Sequence, residues 1–181
     1  MLWLILLFAN IQLIKINGQD WPNLSKYKYA NAQLKSLKKN NRIVFMGNSI
    51  KGLRSIFSPS FFFNKTYINR KISGQTTPQM LIRFRQEVIN LNPFAVVILA
   101  GINDIDQNTG PSTIDMIRNN IVSTIELAKY NKIHVILCSV LPAENFPWYP
   151  EILPAQQVIK LNKELKEFAE ENNIAYVDYF S

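Results

Sequence analysis

The sequence predicts an α/β fold, a three-layer α/β/α sandwich built on a five-stranded parallel sheet. Short runs of strand-forming apolar residues recur along the chain, and stretches with helical spacing of apolar residues lie between them. The connections are long enough to cross over, which parallel pairing requires and which puts helices on both faces of the sheet. With 181 residues, 48% of them hydrophobic, the chain has the material for one domain around one core. Six glycines and nine prolines without a repeat exclude collagen-like and low-complexity classes.

Met1 to Ile16 is rich in Leu, Ile, Trp and Phe but interrupted by Asn10, Gln12 and Lys15, too broken for a transmembrane helix. An apolar stretch from Leu2 to Ala9, followed by small or polar residues up to Gly18, fits a signal peptide over residues 1–18, although the basic start is missing. The protein is then exported, to a periplasm or the extracellular space, with its folded domain over 19–181; an uncleaved membrane anchor is the alternative.

From Asn23 to Lys39, Leu24, Tyr27, Ala30, Leu34 and Leu37 recur at helical spacing and predict a first amphipathic helix ending at Asn40-Asn41. Ile43-Val44-Phe45-Met46, closed by Gly47, reads as a strand buried on both faces. Tyr67 to Ile72 is a weaker, alternating strand, whereas Ala95 to Leu99 and Ile133 to Val140 are strong ones, and Ile174 to Val177 makes a fifth. Helix starts are signalled by Thr77 before Pro78, by Pro111-Ser112 with Asp115 three residues on, and by Pro154. Ile114, Ile117, Ile121 and Ile125 mark one inward face, and Val158, Leu161, Leu165 and Phe168 another.

Twenty Lys and Arg against thirteen Asp and Glu leave a net charge of +7, but the basic residues are scattered. No stripe or motif for nucleic acid emerges, and a solvated surface explains the excess. The single cysteine, Cys138, has no partner for a disulfide or a metal site and lies in an apolar run, so it reads as a small buried hydrophobe.

In a parallel α/β sheet, ligands bind outside the carboxyl ends of the strands, so function is to be sought in the turns that follow them. Those turns read Gly47-Asn48-Ser49-Ile50, Ser73-Gly74-Gln75-Thr76 and Gly101-Ile102-Asn103-Asp104. A serine at a strand-to-helix junction is exposed near the positive end of a helix dipole, a plausible place for a nucleophile. Each turn alone is weak evidence, because Gly, Ser and Asn are ordinary turn and cap residues.

Together, in this order, the three turns resemble the GDSL or SGNH family of serine esterases and acylhydrolases, over about Asn41 to Asp178. Gln75-Thr76-Thr77-Pro78 and Asn108-Thr109-Gly110-Pro111 are similar to phrases of its bacterial branch that resembles platelet-activating-factor acetylhydrolases. The resemblance implies a flavodoxin-like sheet, ester hydrolysis through a Ser49 acyl-enzyme, and an oxyanion hole formed by the Ser49 N–H, the Gly74 N–H and the Asn103 side-chain amide. Asn48 stands where family members more often have Asp, and it keeps the acceptor oxygen while losing the charge. Asn48 and Asp104 are further turn residues of the site. No metal and no organic cofactor is implied; the expected partner is a small-molecule, lipid or carbohydrate ester carrying an acetyl or short acyl group, with no nucleic acid and no stable membrane span.

The family's last block supplies an Asp and a His three residues apart after the fifth strand, and that His is the general base. Here the sequence closes on Asp178-Tyr179-Phe180-Ser181 and holds one histidine, His134. At the amino end of its strand, His134 is roughly 16 Å from the active edge, against the ~3 Å that proton transfer needs. Two expectations follow: a C-terminally truncated product of a longer gene, which the abrupt finish favours, or a chain that has lost its catalytic end and binds its ligand without cleaving it. Asp104 and Asp178 are poor bases toward a serine and are expected to cap or orient turns. Phe146-Pro147-Trp148-Tyr149-Pro150 follows the fourth strand, where an aromatic loop could wall an acyl or sugar pocket, or simply pack as a loop.

Overall fold

The computed structural model describes residues 19–35, 41–47, 66–148 and 150–180. The signal-peptide segment 1–18 and the turn residues Asn48 and Ser49 lie outside the described residues. Five parallel strands form one sheet: β1 (Ile43–Gly47), β2 (Tyr67–Lys71), β3 (Ala95–Leu99), β4 (His134–Cys138) and β5 (Ala175–Val177). Their order, β2-β1-β3-β4-β5, is the flavodoxin-like one. The helices are α1 (Lys28–Lys35), α2 (Thr77–Glu87), α3 (Ile102–Ile105), α4 (Ile114–Tyr130) and α5 (Pro154–Glu171).

The steps from β2 to β3, β3 to β4 and β4 to β5 all run the same way across the sheet. Right-handed crossovers then put α2, α4 and α5 on one face, where α2 packs on α4 and α4 on α5. Against them the sheet presents Val44, Met46, Ile68, Val96, Ile98, Val135 and Leu137, alternate residues of four strands. Met80 and Phe84 of α2, Ile117, Ile121 and Ile125 of α4, and Val158, Leu161 and Leu165 of α5 complete that core, all buried. Each such side chain contributes about 1.5–3 kcal/mol by leaving water. On the opposite face Leu99 and Cys138 head a smaller cluster with Val97, Val177 and Tyr179. Burial raises the Cys138 thiol to about 12, as expected of an inert apolar cysteine.

Local chemistry shifts several boundaries. The first helix runs from Lys28 rather than Asn23, because Asn23 is left-handed at φ 58° and the Asp20 carboxylate accepts the Leu24 and Ser25 N–H groups, holding a turn. The cap of α2 is Thr76, not Thr77: the Thr76 N–H is donated to Gln79 Oε1 at 3.1 Å, while Thr77 is already in the first turn. In α4 the cap is Thr113, whose hydroxyl accepts the Met116 N–H, rather than Ser112. The segment before α1 is held to α2 and the turn preceding it by three glutamine amides: Gln75 donates to the Pro22 carbonyl, Gln79 to that of Trp21 and Gln86 to that of Leu24.

Candidate active site

Gly47, the last residue of β1, stands opposite Lys71 of β2 on one side and Leu99 of β3 on the other, so the three carboxyl ends are level. The sheet's order reverses here, which is where a crevice opens in such folds. A Cβ on Gly47 would lie 2.6 Å from the Leu99 carbonyl oxygen, so β1 and β3 approach this closely only because the residue is glycine.

The turns after β2 and β3 are fastened to each other. The Asn103 amide donates to the Gln75 carbonyl at 2.9 Å and the Asn108 amide to the Gly74 carbonyl at 3.0 Å. The Thr76 and Thr109 hydroxyls are 2.9 Å apart. The third turn is set by Gly101, whose φ of +121° suits glycine and where a Cβ would meet Leu161 Cδ2 at 2.8 Å. That backbone lets β3 pass straight into the single turn of α3, with Asn103 as its second residue.

Asp104 braces the same junction from beneath. Its carboxylate accepts the Thr77 N–H at 3.0 Å and the Thr77 hydroxyl at 2.6 Å, and Asn120 donates to that hydroxyl in turn. The Thr77 N–H is the first of α2, so the carboxylate sits at the positive end of a helix. Burial nevertheless raises its pKa to about 6, against the pull of the Thr77 hydrogen bonds. At 1% exposure the Asp104 carboxylate is turned inward, onto Thr77.

Behind the second turn lies a buried charge pair that sequence reasoning missed. Arg83 and Glu87 form a salt bridge with both side chains fully buried. Arg83 also donates from Nε to Gln75 Oε1 and from Nη1 to the Arg70 carbonyl. Burial pushes the Glu87 carboxyl up, and the Arg83 guanidinium pulls it back down. The pair therefore holds Gln75, the residue whose carbonyl receives Asn103. Its one signal in the sequence is the i, i+4 spacing on a helix, which more often marks an exposed pair.

Of the predicted site residues, the structure brings Gly74, Asn103 and Asp104 together, and Ser49 and Asn48 lie outside the described residues. Gly74 is exposed, and its N–H meets no acceptor among the described residues. Asn103 is half-buried, with one of its two amide hydrogens on Gln75 and a second to offer. His134 opens β4 at the amino end, exposed, its ring 4.6 Å from that of Phe94. It lines a groove of about 550 Å³ with Lys129, Lys132 and Asn173, at the opposite end of the sheet from these turns. Asp178, just beyond β5, accepts the Phe180 N–H at 2.8 Å and so shapes a turn.

The loop after β4 reaches the turn after β3. Its Phe146 is buried, and Trp148 stacks near it with ring centroids 6.0 Å apart and donates its indole N–H to Asp106 at 2.7 Å. Among the described residues no group of three or more His, Cys, Asp or Glu side chains could hold a metal, and no helix is long and apolar enough to cross a membrane.

Comparison with known proteins yields a family model described as GDSL-like lipase/acylhydrolase, matching residues 51–181. Gly74, Asn103 and Asp104 fall inside that span and Ser49 just before it. Among solved structures, the chain is similar to a candidate acylhydrolase from Bacteroides fragilis, with 49% identity over 90% of this chain and 79% of that one and a TM-score of 0.83. A GDSL-like lipase from Bacteroides thetaiotaomicron is similar at 48% identity over 87% and 78%, with a TM-score of 0.81. An acetylxylan esterase from Geobacillus stearothermophilus shares the fold at 20% identity over 80% and 79%, with a TM-score of 0.59. No curated protein matches.

Proposed function

Because the chain belongs to the GDSL-like lipase/acylhydrolase family, we propose that it hydrolyses an ester by nucleophilic attack of Ser49. The observation that carries this reading is the pairing of two donor-bearing turns beside the end of β1. Gly74 and Asn103 are bound together through Gln75, and Gly47 ends its strand level with both of theirs. Ser49 follows Gly47 by two residues, a reach of at most about 7 Å in any conformation.

In this mechanism the Ser49 hydroxyl oxygen attacks the ester carbonyl carbon, and the carbonyl electron pair moves onto oxygen. That oxyanion is received by the N–H groups of Ser49 and Gly74 and by the second amide hydrogen of Asn103. Donors fixed before reaction stabilise the developing charge without reorganising, at about 3 kcal/mol for one donor in the best-measured case. Collapse expels the alcohol and leaves the acyl group on Ser49, and water then releases the acid. The Ser49 proton needs a base, and His134 cannot be it: the length of β4 alone is about 13 Å. The family resemblance assigns that role to a histidine in a block that follows the fifth strand.

The position of His134 favours one second reading, in which the same donors hold an ester or acetyl group without cleaving it. A fluorophosphonate probe separates the two. Covalent labelling at Ser49, located by peptide mass, supports acyl transfer, whereas an unlabelled but ligand-binding protein supports the binding domain. We further propose an acetyl or short-acyl ester of a carbohydrate or lipid as substrate, and export of the protein after cleavage of residues 1–18. N-terminal sequencing of protein recovered outside the cytoplasm tests the latter.

A further inference from the structure

We propose that Trp148 is a stacking platform for a sugar ring, so that the alcohol side of the ester is a carbohydrate. The proposal deepens the reading of the neighbouring turns as an acyl-transfer site and rests on it. The loop from Leu141 to Leu153 leaves β4 at its carboxyl end and returns into α5. Phe146 and Ile152 sink into the main core at 6% and 8% exposure and pin the loop at two points. Between them Trp148 stays 63% exposed.

An indole in that position is not merely left over from packing. Its one polar group is engaged, since Nε1–H is donated to Asp106 at 2.7 Å, and its ring lies 20° from parallel to Phe146. Both contacts fix the ring's direction while most of its surface remains in water. Asp106 itself is buried and caps α3 three residues after Asn103. Residues three apart on a helical turn share a face, with Cβ atoms about 5–6 Å apart. The indole is thereby tethered to the same helical turn that carries the amide we assign to the oxyanion.

The surroundings favour a sugar over an acyl chain. An acyl chain needs continuous apolar walls. The ring is bonded to the Asp106 carboxylate; Glu144 and Asn145, four and three residues before it on the same loop, are exposed, as are Asn108 and Thr109, two and three residues after Asp106. A pyranose ring matches that mixture. Its C–H groups carry partial positive charge toward the electron-rich indole face, and its hydroxyls reach carboxylate and amide groups at the rim. Holding the ring in place beforehand lowers the entropy lost when ligand binds.

The test uses full-length protein carrying Ser49→Ala, so that ligand is not turned over, with and without Trp148→Ala or Trp148→Phe, each checked for folding by circular dichroism. Partly acetylated xylo-oligosaccharides of four to six sugars and short-chain phosphatidylcholine micelles are titrated by calorimetry. The expected result is oligosaccharide binding that weakens by about tenfold in Trp148→Ala, the loss of an aromatic anchor, and less in Trp148→Phe. Equal sugar affinity with and without the indole overturns the proposal, as does binding of the micelles alone or of neither ligand. Fluorophosphonate labelling of Ser49 in the parent is read separately. Labelling with indifferent sugar binding removes the platform only, and indole-dependent sugar binding without labelling removes the hydrolase reading only.

Discussion

The buried carboxylate of Asp104 makes stability depend on pH in a direction that can be worked out in advance. Its pKa is raised by burial from 3.8 to about 6. Between those values the folded protein keeps a proton that the unfolded chain releases, so the stability associated with this group is complete below about pH 4 and is lost as pH rises through about 6. At 1.36 kcal/mol per unit, the 3.8-to-6 shift corresponds to about 3 kcal/mol. Asp104→Asn removes the ionisation and keeps an oxygen that can accept from Thr77. Urea unfolding of parent and variant, measured from pH 3.5 to 7.5, isolates this group, because other carboxylates cancel in the difference. The variant should gain about 3 kcal/mol on the parent across that range, whatever the offset at low pH. A flat difference, or a variant that loses ground as pH rises, would refute the assignment of a raised pKa to Asp104.

Other perturbations probe the rest of the construction. Asn103→Ala should lower kcat by about 10²–10³ with a small change in KM, since the lost donor acts on charge that forms in the transition state; steady-state kinetics on a soluble acetate measure it. Arg83→Met should cost about 3–5 kcal/mol by leaving Glu87 buried without its cation, and Arg83→Met with Glu87→Leu should recover most of that in denaturant melts. Gly47→Ala should destabilise by about 1–3 kcal/mol, seen as a lowered Tm, because its Cβ would press on the Leu99 carbonyl and wedge β1 from β3.

The sheet was legible because its strands are short apolar runs closed by turn residues, and Ala95 to Leu99 is both the sequence pattern and the observed strand. Helix faces were legible for the same reason: Ile117, Ile121 and Ile125 keep helical spacing and are buried together. The first helix was overextended because Leu24 and Tyr27 continue its period, whereas Asp20 captures the backbone there and Asn23 turns left-handed. Periodicity carries no record of such side-chain-to-backbone capture.

At the site, the turns themselves could be read, and what holds them could not. Gly74 and Asn103 stand out as residues of the right type after successive strands. Gln75 is an ordinary polar residue in the sequence, yet it touches Pro22, Arg83 and Asn103. Arg83 and Glu87 look like a surface pair and are fully buried. Their helix is joined to the distant segment before α1 through Gln79 to Trp21 and Gln86 to Leu24, a tertiary fact with no local signature.

The account turns on Ser49, and the most direct measurement is hydrolysis of p-nitrophenyl acetate by the native gene product, with whatever base follows the fifth strand, beside the same protein carrying Ser49→Ala. The account predicts a rate above the spontaneous reaction that falls to background in the variant. Equal rates in the two proteins would contradict it and leave Gly74 and Asn103 as donors that hold a ligand without catalysing its hydrolysis.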